Sequence, residues 1–178
     1  SIKDTSDAIW YKMGDSRHNL AHNRIRHITE DHNHELWIAT DGSVNRYNYT
    51  TQQFIHYNIV DSTGKNNANW AYHLMEDSEG KLWIATDGGG INLIDLKSNE
   101  FTCLTHTTGD PASLPANSVT QLYKDYNDQL WIGSVRGGVI NIKDSYINTY
   151  QDVILNHTGG LTEKAITSMY EETDGRLW

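Results

Sequence analysis

Leu-Trp-Ile recurs along this chain, at Leu36-Trp37-Ile38, Leu82-Trp83-Ile84 and Leu130-Trp131-Ile132, and Leu177-Trp178 opens a fourth copy. Successive tryptophans stand 46, 48 and 47 residues apart. That period matches a four-stranded propeller blade and exceeds the periods of most helical repeats. The chain reads as a β-repeat array.

Each copy can be laid on the next without gaps around its tryptophan. Six positions before it stands an acid, as Asp31, Asp77, Asp125 and Glu172, and three after it a Thr or Ser, as Thr40, Thr86 and Ser134. A glycine turn follows (Gly42-Ser43, Gly88-Gly89-Gly90, Gly137-Gly138), then Asn-x-x-(Asn/Asp) at Asn45 to Asn48, Asn92 to Asp95 and Asn141 to Asp144. Upstream of each tryptophan lies a short apolar stretch, at Ile25 to Ile28, Ala71 to Met75, Val119 to Tyr123 and Ile166 to Tyr170, closed by a polar hairpin turn such as Asp77-Ser78-Glu79-Gly80.

Four strands therefore fill each period. The apolar stretch is the first and the Leu-Trp-Ile segment, apolar on both pleat faces, the second. The third is Val44 to Asn48, Ile91 to Asp95 and Val139 to Lys143; the fourth is Phe54 to Tyr57, Phe101 to Leu104 and Ile147 to Tyr150. Two residues beyond each tryptophan sits Ala39, Ala85 or Gly133, a gap expected to receive the neighbouring indole. Sheets of this kind stack radially into a propeller and bury their faces on one another. The expected fold is an all-β propeller fragment of four-stranded antiparallel blades, with blades over 14–60, 61–106 and 107–152, an outer strand at Ile9 to Met13, and the first strands of another blade at 160–178.

A chain of 178 residues is long enough to bury a core of ordinary size. Ten tyrosines and six tryptophans against two phenylalanines suit an aromatic-rich β protein. No run approaches the roughly 18 apolar residues of a membrane span, so this segment is not expected to insert. A net charge of -9 without any Lys/Arg-rich run disfavours nucleic acid as a partner. The single Cys103 excludes an internal disulfide and a multi-cysteine zinc site.

The stretch Asp-x-x-Gly-x-Leu-Trp-Ile-Ala-Thr-Asp-Gly-Gly-Gly at 77–90, with Phe101 followed by Gly109-Asp110-Pro111-Ala112-Ser113-Leu114-Pro115-Ala116-Asn117-Ser118-Val119, resembles the two-component regulator propeller repeats. Those repeats occur in the extracytoplasmic sensor regions of hybrid two-component histidine kinases, best known from gut Bacteroidetes that sense polysaccharides. The resemblance covers essentially the whole chain. It implies a piece of a larger periplasmic ectodomain of an inner-membrane protein. The partners it implies are further blades, an immunoglobulin-like linker domain, an oligosaccharide ligand and a second copy in a homodimer, with no cofactor. An open propeller of this span exposes two blade faces, so copies are expected to associate through them unless the span is an excerpt of a larger fold. The copies depart from the pattern at His34 and Asp128, which stand at the turn glycine, and at Val135-Arg136, which replace Asp-Gly. These departures are expected to loosen turns without altering the fold.

Most chemistry-bearing residues recur in every copy and read as scaffold. The pairs Glu30-Asp31, Glu76-Asp77 and Glu171-Glu172 fall at one turn and are expected to accept turn amides. Asp125-Tyr126-Asn127-Asp128 lacks the ligand count of a calcium loop. His18 and His22 fall in a loop without helical geometry, His32-x-His34 is equally weak as a metal pair, and Gly88-Gly89-Gly90 lacks the Lys-Ser/Thr of a phosphate loop. No catalytic set is marked out and no metal site is expected.

Function in a repeat protein is sought where the copies differ. The position fourteen before the anchor holds Asn23, Asn69, Asn117 and Lys164; the next holds Arg24, Trp70, Ser118 and Ala165; two later come Arg26, Tyr72, Thr120 and Thr167. These lie at the start of the innermost strand, beside the loops that rim one face. Aromatic platforms flanked by Asn and Arg donors suit the apolar C–H face and hydroxyl fringe of a sugar. Trp70 and Tyr72, with Asn69, Asn23, Arg24, Arg26 and Arg136, are therefore the candidate glycan or glycan-acid site. The bland alternative is that Trp70 fills the gap left by Ala71, which stands where the other copies have Ile25, Val119 and Ile166. The expected function is carbohydrate sensing in a hybrid histidine kinase whose chemistry lies in other domains. A protein-interaction or dimerisation propeller is the main rival, and a propeller lyase or glycosidase the lesser one.

Overall fold

The computed structural model describes residues 8–14, 16–60, 70–143, 146–150 and 165–178. These form three four-stranded antiparallel sheets whose strands pair in chain order. The first holds β1 (Ile25–Glu30), β2 (Leu36–Thr40), β3 (Ser43–Asn48) and β4 (Gln53–Asn58). The second holds β5 (Ala71–Glu76), β6 (Lys81–Thr86), β7 (Ile91–Asp95) and β8 (Phe101–Leu104), and the third β9 (Val119–Lys124), β10 (Leu130–Ser134), β11 (Val139–Lys143) and β12 (Tyr146–Tyr150). This is the propeller arrangement expected from the period. The first strands of successive sheets stand side by side, β1 beside β5 and β5 beside β9.

The recurrent acid has a function that its position alone does not reveal. Asp77 Oδ1 accepts the backbone N–H groups of Glu79 and Lys81, each at 2.9 Å, which shapes the turn. Its Oδ2 accepts the indole N–H of Trp83 at 2.7 Å. Asp31 makes the same three bonds to Asn33, Glu35 and Trp37, and Asp125 to Asn127, Gln129 and Trp131. One carboxylate thus ties a hairpin turn to the ring that plugs the core, and the spacing of six is fixed by that bond.

Turns that depart from glycine are not looser. His34 and Asp128 take φ values of 62° and 60°, close to the 82° of Gly80 and Gly175. The closing bond is kept in every copy: His34 N to Asp31 O at 2.9 Å, Gly80 N to Asp77 O at 3.2 Å, Asp128 N to Asp125 O at 3.0 Å and Gly175 N to Glu172 O at 2.9 Å. The Asp-Trp clasp holds the turn in shape, and the non-glycine residue bears the left-handed strain.

Core packing runs between blades. Trp37, Val44 and Ala39 of the first sheet are fully buried against Ala71, Leu74, Leu82 and Ile84 of the second. A second cluster joins Ala85 and Ile91 to Val119, Leu122, Leu130 and Ile132 of the third, with Trp83 packed against it. The space beside Gly133 is filled by Ile166, whose Cγ2 lies 2.6 Å from where a Cβ would stand. The small residue there makes room for Ile166 of the next copy, not for an indole.

A face left open in the first sheet matches one covered in the others. Leu74 and Leu122 are 1% and 2% exposed, whereas Ile28 at the same repeat position is 55% exposed. Over Ile9 to Met13 the described backbone makes only the isolated bridge between Met13 and Leu20 in place of a strand, while Tyr11 packs edge-on against Tyr47 and Phe54. Residues 165–178 contribute a turn whose Tyr170 and Trp178 exchange both backbone bonds, at 2.8 and 2.7 Å.

Candidate ligand site

The leading strand of each of the three described sheets carries a bulge at one repeat position. Ile25 pairs with Thr40 and His27 with Ala39, so Arg26 has no partner of its own in the ladder. Ala71 and His73 pair with Thr86 and Ala85, leaving Tyr72; Val119 and Gln121 pair with Ser134 and Gly133, leaving Thr120. A bulge bends its strand and re-aims the extra side chain. Here the re-aimed residues converge: Arg26, Tyr72 and Thr120, with Thr167 at the same position of the fourth copy, line one hollow of about 430 Å³. Arg24, Ile25 and Gln121 complete its wall.

Arg26 is held on all sides. Its Nε donates to Asp41 Oδ1 at 2.7 Å, and its guanidinium carbon lies 4.5 Å from the ring centre of Trp70 and 4.7 Å from that of Tyr72. The two rings meet edge to face at 6.2 Å. Arg26 Nη2 is buried without a hydrogen-bond partner among the described residues. Arg24 is more open: its side chain is 63% exposed, its Nη1 is 3.8 Å from Asp41 Oδ2, and it lies 5.9 Å from the Trp70 ring. Trp70 is itself 40% exposed while Ala71 is fully buried, so the indole lies on the rim and does not fill the core beside Ala71.

Tyr72 also lines a second hollow of about 570 Å³, with Asp87, Asn117, Ser118 and the exposed Arg136. Ser118 donates its hydroxyl to Asp87 Oδ1 at 2.6 Å. Burial and the Asp87 charge push the Tyr72 phenol above its usual range, so it remains an O–H donor between the two hollows. The floor is rigid. Asn117 O accepts from Gly88 N at 3.0 Å and Gly90 N at 2.8 Å, and Gly90, at φ 71°, would place a Cβ 2.1 Å from Leu104 O.

Beneath the rim, His27 and His73 stack with ring centres 3.9 Å apart. Burial, then the neighbouring His27, lowers His73 to about 4, and burial lowers His27 as well. Both rings are therefore neutral near pH 7, and the Leu74 N–H donates to His27 Nδ1 at 3.3 Å. Among the described residues no group of three or more His, Cys, Asp or Glu side chains is placed to hold a metal ion.

Of the residues singled out from sequence, Arg24, Arg26, Trp70 and Tyr72 come together, and Arg136 joins through the second hollow. Asn23 lines neither hollow; its Oδ1 accepts from Met13 N at 2.6 Å. Asn69 lies outside the described residues. Sequence reasoning did not single out Asp41, Gln121 or Thr167 as part of the site. The acid four positions after the anchor, present as Asp41 and Asp87 and absent at Val135, was the available signal.

Residues 19–42, 65–88 and 113–136 match the two-component regulator propeller family, one match in each of the first three copies of the repeat. These are two-component regulator propeller repeats. Along 98% of its length the chain is similar, at 38% identity and a TM-score of 0.75, to the extracellular domain of BT4673 from Bacteroides thetaiotaomicron, described as a hybrid two-component system. A second structure of that domain, described as belonging to a one-component system, gives 38% identity and a TM-score of 0.72. The extracellular domain of BT3049 from the same organism shares the fold at 19% identity, with a TM-score of 0.63 over 96% of this chain. The chain spans 24% of the BT4673 domain and 27% of that of BT3049. No curated protein matches it. This regulator-propeller segment is extracytoplasmic, as those domains are, and no helix among the described residues is long and apolar enough to cross a membrane.

Proposed function

We propose that this segment is part of the periplasmic sensor of a hybrid two-component histidine kinase, and that the bulge-lined rim detects a saccharide. The supporting observation is the convergence of Arg26, Tyr72, Thr120 and Thr167, one from each copy, on a single hollow walled by Arg24 and Gln121. Scaffold positions hold the same residue type in each blade, whereas the position aimed into the hollow carries three different side chains over the four copies, Arg, Tyr and twice Thr. Hydrogen-bonding groups beside aromatic rings suit a hydroxylated ligand. The segment carries out no chemistry; a ligand that contacts several blades biases a domain or dimer arrangement, and phosphoryl transfer belongs to other domains.

Calorimetry of a plant and host glycan library against the full extracytoplasmic region tests this, with Trp70→Ala alongside. Saturable binding that the variant loses, with folding intact, supports the reading; a cognate glycan bound equally by the variant removes the site from this rim.

A further inference from the structure

We infer that the rim hollow recognises an acidic saccharide, taking a uronate carboxylate against Arg24 and Arg26, with Arg136 serving a second acidic unit of the same oligosaccharide. The inference rests on the saccharide reading above and narrows it.

The aromatic rings do not present the free platform expected from sequence. The Trp70 ring carries Arg26 over it, with Arg24 at its margin, and the Tyr72 ring flanks the same guanidinium. Trp70 and Tyr72 thus hold the Arg26 guanidinium against their rings, and Asp41 accepts from its Nε. Both guanidiniums line the hollow, Arg24 with its side chain 63% exposed and Arg26 largely buried behind it, so an incoming group meets Arg24 first. Paired guanidiniums suit an oxyanion, in the planar bidentate geometry that carboxylates offer.

Charge points the same way. Two guanidiniums share one carboxylate, Asp41, and the side chains lining the first hollow include no acid. A chain with net charge -9 therefore carries a locally positive wall at this place. The rest of the wall fits hydroxyls. Gln121 donates Nε2 to Thr167 O at 2.8 Å, which leaves its side-chain oxygen as an acceptor, and the Thr120 hydroxyl donates to Ile166 O. Across Tyr72, the second hollow holds the exposed Arg136, while its acid, Asp87, accepts the Ser118 hydroxyl. Two cationic ends separated by one phenol match an oligomer of two or more units more closely than a monosaccharide.

The test is binding of oligogalacturonides, alginate oligomers and hyaluronan oligosaccharides to the full extracytoplasmic region, each beside its carboxyl-reduced form. The expected result is saturable binding of an acidic oligomer that weakens with added salt. Carboxyl reduction and Arg24→Gln should each weaken it at least about tenfold. Because Arg24 is largely exposed, unchanged thermal unfolding of the variant shows that the loss is not a folding defect. Equal binding of the reduced oligomer overturns the inference while leaving the saccharide reading in place. Acid binding unchanged in both Arg24→Gln and Arg136→Gln overturns it by placing the acid elsewhere. Failure of every acidic and neutral glycan to bind overturns both.

Discussion

The guanidinium carbon of Arg26 lies 4.5 Å from the centre of the Trp70 ring, joining the leading strand of one blade to the first rim residue of the next. The strand bulge directs Arg26 into this contact, and Asp41 anchors its other side. The stack sits at a seam between blades, so it is measurable as coupling. A double-mutant cycle of Arg26→Ala and Trp70→Ala should give a coupling of about 1 kcal/mol by chemical denaturation. Additive single effects would show that the ring and the cation are neighbours without mutual stabilisation.

Asp77 accepts two turn amides and the Trp83 indole, so its truncation leaves three donors short of an acceptor. Asp77→Ala should destabilise by roughly 2–4 kcal/mol. Glu79, with its side chain 71% exposed and paired with Lys81 at 2.6 Å, should have little effect on stability when changed to Ala. Urea unfolding of the two variants compares them directly; equal losses would mean that the indole bond contributes little.

His73 has its folded pKa lowered from 6.5 to about 4, chiefly by burial and then by His27. Between those two values the unfolded chain binds the proton and the folded chain resists it. Stability from this group is thus fully present above about pH 6.5, falls as pH drops toward about 4, and is level below, a loss of roughly 3 kcal/mol at most. His27, also lowered by burial, adds a slope of the same sign. Thermal midpoints from pH 7 to pH 4 should fall less steeply in His73→Phe than in the parent; identical slopes would assign the acid sensitivity to other groups.

Two positive-φ positions should respond in opposite directions. His34, at φ 62°, carries left-handed strain that glycine relieves, so His34→Gly should stabilise by about 0.5–1 kcal/mol. Gly90 is the reverse case, with Leu104 O at 2.1 Å from an added Cβ, and Gly90→Ala should cost about 3 kcal/mol or more. Differential scanning calorimetry reads both. A destabilised His34→Gly would show that the short pair between His34 Nδ1 and Glu30, at 2.5 Å, outweighs the backbone strain.

The architecture was legible because one bulky ring per blade recurs with its acid six residues earlier, and the third and fourth strands follow at fixed offsets. The chemical reason for that acid was not legible, since a residue that accepts turn amides and one that also accepts an indole N–H look alike in sequence. The grouping of the candidate residues was legible in part. Differences between copies picked out Arg24, Arg26, Trp70 and Tyr72, which the structure brings together at the rim. The bulge was not legible; it shifts the register by one residue between Ile25 and His27 and leaves Arg26 lining the hollow. Regular alternation would have placed that side chain differently. Asn23 was named for its repeat position, which does not reveal that its side chain accepts a backbone N–H from Met13.

Contact of a saccharide with the bulged residues of successive blades is tested by hydrogen exchange of the full extracytoplasmic region with and without its best-binding glycan. Slowed exchange is expected in peptides covering Arg24 to His27, Trp70 to His73, Ser118 to Gln121 and Ala165 to Thr167, with the Asp-Trp turns at the opposite end of the sheets unchanged. Protection confined to those turns, or to blades outside this segment, would contradict it.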